Sequence, residues 1–96
     1  MEDSKCEIKE YEFNTDTLND INKKYINWPV VYLINDNNKI YIGETSNIKS
    51  RMKQHLENPD RKFLESINII YDKTFNKSAI LDIEQNLIRM FYADTR

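Results

Sequence analysis

Residues 30–55, VVYLINDNNKIYIGETSNIKSRMKQH, decide the fold. Val30, Val31, Tyr32, Leu33 and Ile34 have the β-branched, aromatic and aliphatic composition of a strand covered on both faces. Asn35-Asp36-Asn37-Asn38 follows as a turn cluster, because Asn and Asp tolerate left-handed backbone and hydrogen-bond it locally. Lys39 to Gly43 is then the return strand of a hairpin. Gly43 is the only glycine of the chain, which points to a backbone at positive φ or a close approach. Thr45 or Ser46 is placed to cap the next helix, and a helix N-terminus directly after a strand is a natural anion site.

That helix spans about Asn47 to Leu56, with Ile48, Met52 and Leu56 as its buried stripe. At ~100° per residue, Arg51 and His55 share a face at the margin of that stripe. Asn58-Pro59-Asp60 stops the helix, residues 61–64 suit a short turn, and Ile67 to Tyr71 reads as a third strand. The last helix starts near Asn76 or Ser78 and runs to about Ala93. Its apolar arc is Ile80, Ile83, Leu87, Ile88 and Phe91, and Glu84 falls inside it. A carboxylate there is costly unless paired with a cation, Arg51 for example, or bound to metal. Upstream, the alternation around Tyr11-Glu12-Phe13 suggests an edge strand from Glu7 to Phe13. Asp16 or Thr15 can cap a helix to about Tyr25, and Trp28-Pro29 ends that passage. Trp28 reads as a packing residue.

The chain has 96 residues, the size of one small domain, with 40% hydrophobic and 31% charged residues. No apolar run approaches the ~20 residues of a membrane span, and the charged N-terminus is not a signal peptide. The single cysteine, Cys6, allows no internal disulfide and suits a reducing, cytoplasmic setting. A net charge of −2 argues against indiscriminate nucleic-acid binding. The charge is unevenly spread: residues 1–20 carry seven acids against Lys5 and Lys9, whereas residues 49–62 carry five bases against Glu57 and Asp60. The basic segment holds the candidate site.

These residue types suit phosphodiester hydrolysis, which needs a positioned water, a proton acceptor and positive charge at the phosphorus. Arg51 offers a planar fork for phosphate oxygens. Glu84 offers one ligand to a hard cation such as Mg²⁺, whose remaining shell is water and substrate. Tyr32 and Tyr41, on adjacent strands, are expected to face each other across the ladder. A phenol titrating near ~10 acts as base only where cations stabilise the phenolate. His55 is placed to relay protons or bind phosphate.

Val31-Tyr32, Tyr41-Ile42-Gly43, Arg51, His55 and Glu84 together resemble the GIY-YIG nuclease family, over roughly residues 28 to 91. The resemblance implies an α/β fold of the α+β kind: a small antiparallel sheet of about three strands with a β-hairpin, flanked by helices. Residues 1–27 form a strand and helix lead-in to a nuclease domain at 28–96, in one compact unit. The implied catalytic set is Tyr32, Tyr41, Arg51, His55 and Glu84, the tyrosines orienting or deprotonating water, Arg51 holding the scissile phosphate and Glu84 the metal. One weakly bound Mg²⁺ or Mn²⁺ is expected, with DNA as substrate and Gly43, Asn47 and Lys49 on the substrate side. The alternative is an inactive module of the same fold for docking DNA or a partner. Residues 28–32, 41–45 and 76–79 also look similar to a subset that precedes a P-loop helicase-like ATPase on one polypeptide. Val30 stands where the family's first glycine usually lies. Members tend to carry an asparagine beyond the glutamate helix; Asn86 is too close to Glu84 for that position, so the natural polypeptide is expected to continue past Arg96.

Overall fold

A computed structural model describes residues 6–94. Its framework is a four-stranded, wholly antiparallel sheet in the order β1-β4-β2-β3, formed by β1 (Glu7–Glu12), β2 (Val30–Asn35), β3 (Ile40–Thr45) and β4 (Ser66–Tyr71). The helices are α1 (Ile48–Leu56) and α2 (Lys77–Asp94). The central strands are the ones with apolar residues on both faces: Val30, Val31, Tyr32 and Ile34 of β2 are buried, as are Ile67, Ile69 and Ile70 of β4. This is the expected α+β architecture, and the edge strand expected at Glu7–Phe13 raises the count from about three strands to four.

Side-chain alternation divides the core into two layers. Val30, Tyr32, Ile34, Ile67 and Ile69 pack with Ile48 and Met52 of α1 and with the N-terminal lead-in. Val31, Leu33, Ile42 and Ile70 pack with Ile80, Ile83 and Leu87 of α2. The sheet therefore separates the two helices. A residue of α2 can meet one of α1's layer only around the β3 edge.

Three local expectations are corrected. The helix expected from Asp16 to Tyr25 is instead two 3₁₀ turns, Asp16–Asn19 and Lys23–Tyr25. Side chains of Asn14 and Asn22 accept bonds from the backbone of Thr17 and Lys24, which competes with a continuous helix. The N–H of Asn22 is also tied to the Tyr11 hydroxyl at 3.0 Å, fixing the break to β1. Thr17, Ile21 and Tyr25 reach the core at every fourth position, with Leu18 packed at its edge. The cap of α1 is Asn47, whose side chain accepts from the Ser50 N–H at 3.1 Å. Thr45 serves one step earlier, its hydroxyl accepting from the Asn47 N–H. Ser46 makes no cap bond among the described residues. At α2, Asn76 caps as expected through the Ala79 N–H.

The third correction concerns register. Asp36 closes the hairpin by accepting from the N–H groups of Asn38 and Lys39 at 2.8 Å each, which holds its carboxyl below the ordinary range. With the turn at 36–39, Tyr32 lies opposite Gly43 and Tyr41 opposite Ile34. The two tyrosines are thus diagonal neighbours on one face rather than directly opposed.

Candidate functional site

Gly43 does not adopt positive φ, so its role is the close approach. A Cβ there would run into Oη, Cζ and Cε2 of Tyr32. The missing side chain lets the Tyr32 ring lie over β3, where it is only 1% exposed. Its ring centroid is 6.5 Å from that of Tyr41, with the planes 28° apart.

Burial of that phenol raises its polar demand, and α1 meets it. His55 is 4% exposed, and its Nε2 is 2.8 Å from the Tyr32 Oη. The His55 ring also sits edge-on to Tyr41, with centroids 4.9 Å apart. Burial, then the charges of Arg61 and Arg51, hold the imidazole down to about 4, so it is neutral at physiological pH. Burial and the neighbouring Tyr41 push the Tyr32 phenol up to about 12. Arg51, at the exposed rim of α1, favours the phenolate by charge and hydrogen bonding, but desolvation outweighs it. Tyr32 is therefore a neutral phenol joined to a neutral imidazole. Such a pair can pass a proton between oxygen and nitrogen without a standing phenolate.

Glu84 approaches from the other layer, around the β3 edge. It lines a groove of about 630 Å³ together with Tyr41, Arg61, Leu64, Ile88 and Phe91. Among the described residues it makes no hydrogen bond to Tyr32 or Tyr41, yet its charge raises the Tyr32 phenol. Burial holds its carboxyl above the ordinary range, and Glu44 adds to this while Lys77, paired with Glu44 at 2.7 Å, opposes it. The ion pair with Arg51 that would make Glu84 purely structural is absent among the described residues. A half-buried carboxylate disfavoured as an anion gains from a nearby cation. No group of three His, Cys, Asp or Glu side chains able to hold a metal occurs among the described residues. Glu84 could offer a hard ion one carboxylate ligand, with water and phosphate completing its shell.

The structure thus gathers Tyr32, Tyr41, Arg51 and His55 on one face, with Gly43 making room, and Glu84 lines a groove whose wall it shares with Tyr41 of that group. Asn47 is occupied as the α1 cap, and Lys49 is exposed on α1 with no hydrogen bond or ion pair among the described residues. Sequence reasoning passed over Arg61, whose Cζ sits 4.0 Å from the Tyr41 ring centroid. Its only prior signal was membership of the basic segment 49–62. Trp28 packs beside Tyr71 and donates its indole N–H to the Asp72 carbonyl, a structural use.

A family model described as the GIY-YIG catalytic domain matches residues 28–95. No curated protein and no solved structure gives a significant match to the chain.

Proposed function

Because this chain belongs to the GIY-YIG catalytic-domain family of nucleases, we propose that it is a metal-dependent DNA endonuclease domain whose proton acceptor is the Tyr32–His55 pair. The observation that carries this reading is the 2.8 Å Oη–Nε2 contact made by a histidine held neutral. With the imidazole proton assigned to Nδ1, Nε2 accepts from the phenol, and a lone pair of Oη is left for the attacking water. As that water attacks phosphorus, its proton passes to Oη while the phenol proton passes to Nε2. Tyr32 ends neutral and His55 ends as imidazolium. The phosphorus–oxygen bond to the departing sugar breaks, and that oxygen takes a proton from solvent.

Arg51 holds the non-bridging oxygens of the scissile phosphate through its planar fork. Tyr41, packed between Tyr32, His55 and Arg61, fixes the line of approach. A divalent ion such as Mg²⁺ or Mn²⁺, held by Glu84, would supply positive charge where the phosphoryl oxygens gain electrons. The exposed thiol of Cys6 supports a reducing, cytoplasmic setting. A helicase-like ATPase on the same polypeptide would supply the choice of target; the likeness of residues 28–32, 41–45 and 76–79 supports it.

Incubation with supercoiled plasmid and Mg²⁺ tests the proposal. The wild-type chain nicks the plasmid, and Arg51→Ala and Glu84→Ala abolish nicking. Activity that persists in both variants would belong to a contaminant and would remove the assignment. The net charge of −2 favours a second reading, an inactive module that docks DNA or a partner. Binding of DNA without nicking of plasmid, branched or single-stranded substrates selects it.

A further inference from the structure

Arg61 belongs to no helix or strand, yet the turn that carries it is firmly built. Its N–H and that of Lys62 both donate to the Asn58 carbonyl, at 3.0 and 2.9 Å, and the Asn58 side chain accepts from the Asp60 N–H. Leu64 donates back to the Arg61 carbonyl at 3.0 Å and is buried in the α1-side core. The next residue, Glu65, donates to the Asn35 carbonyl at the end of β2. The turn is thereby tied to α1 at its start, where the Asn58 N–H donates to the His55 carbonyl, and to β2 at its end, and the guanidinium is laid over the Tyr41 ring.

Three observations give that guanidinium a task beyond packing. It is half-buried and has no carboxylate partner among the described residues. It lines the groove shared by Tyr41 and Glu84. Its charge also bears on His55, disfavouring the imidazolium. Stacking on an aromatic face fixes the plane of an arginine while leaving its N–H edge free. An unpaired, oriented guanidinium in a groove suits a phosphate oxygen.

We propose that Arg61 is a second phosphate-binding residue, gripping a backbone phosphate of the DNA strand next to the one held by Arg51. The inference rests on the endonuclease reading for its substrate and deepens it: two guanidinia, one from α1 and one from the 58–64 turn, hold successive phosphates on either side of the tyrosine pair. This sets the register of the strand and places one phosphorus opposite the Tyr32 hydroxyl. Through the same stacking, Arg61 holds Tyr41 in place.

Binding of a short fluorescein-labelled DNA duplex in EDTA, measured by anisotropy across a salt series, reads the contact without cutting. Removing one phosphate contact lowers the slope of log affinity against log salt by about 0.9. Arg61→Ala is expected to show that loss together with about five- to tenfold weaker binding at low salt. Arg61→Lys keeps the slope, because the charge remains. It cuts plasmid more slowly than wild type, because the stacked fork is gone. An Arg61→Ala protein with unchanged affinity and slope overturns the inference, and wild-type nicking in Mg²⁺ then leaves the endonuclease reading standing. A wild-type chain that binds DNA but never cuts it reverses this: the endonuclease reading falls, and the slope alone judges Arg61. A wild-type chain that does not bind the duplex overturns both.

Discussion

Acidification from pH 7 to pH 5 should destabilise this domain through His55. The folded imidazole titrates at about 4, against about 6.5 for a free histidine. Between those two values the unfolded chain binds a proton that the folded chain refuses, so stability rises with pH across the window and is lost as pH falls through it. The full difference is roughly 3 kcal/mol, and the part that falls between pH 7 and pH 5 is about 2 kcal/mol. The ring is only 4% exposed, so solvent screens little of this cost. For a domain of this size that loss lowers Tm by roughly 8–15 °C. It is a large fraction of the ~5–10 kcal/mol that holds such a fold.

Other acids do not imitate the effect. Asp36 and Asp72 sit below the ordinary carboxylate range because backbone N–H groups bond them, so their contribution is lost only at lower pH. Glu84, held above its range, acts in the opposite direction, since its charge costs stability that is recovered on protonation. Thermal melts of wild type and His55→Gln at half-unit steps check the argument, with Glu84→Gln as a common background to remove the opposing carboxylate. The wild-type curve should slope and the His55→Gln curve should be flat. A flat wild-type curve, or the same slope in both, would refute the claim that the imidazole is buried and neutral.

The remaining predictions concern the same site. Gly43→Ala forces a methyl group into the Tyr32 ring and should cost about 1–3 kcal/mol; nicking should be lost even at temperatures where circular dichroism shows a folded protein. Tyr32→Phe leaves His55 Nε2 without its partner, at a cost of about 1–3 kcal/mol, and should slow single-turnover cleavage by roughly 10²–10⁴-fold; a rate within twofold of wild type would remove the relay. Glu84→Gln should leave Tm in EDTA equal or higher, because the carboxyl is disfavoured as an anion. A substantial fall in Tm would instead assign Glu84 to a structural pairing.

Much of this was legible in the chain because the signals are local. Five apolar residues, an Asn/Asp cluster and a second apolar run make a hairpin whatever lies elsewhere. Spacings of four put Ile48 and Met52 toward a core and Arg51 beside His55. The tyrosine pair with Gly43, Arg51 and Glu84 pointed to the family, and the fold that followed is the one observed. The errors were also local in kind. Asn14 and Asn22 broke a helix that periodicity alone favoured, because a side-chain amide can satisfy backbone N–H groups as well as a helix does.

Sequence by itself determined which residues form the hairpin, α1 and α2, because strand and helix periodicities are properties of neighbouring residues. Tertiary structure decided what the site is chemically. Packing against the sheet kept His55 dry and neutral. A turn pinned by Asn35 and Leu64 delivered Arg61 to Tyr41. Protonation state and phosphate-binding geometry depend on desolvation and on charges brought from far along the chain, and those distances exist only once the chain has closed on itself.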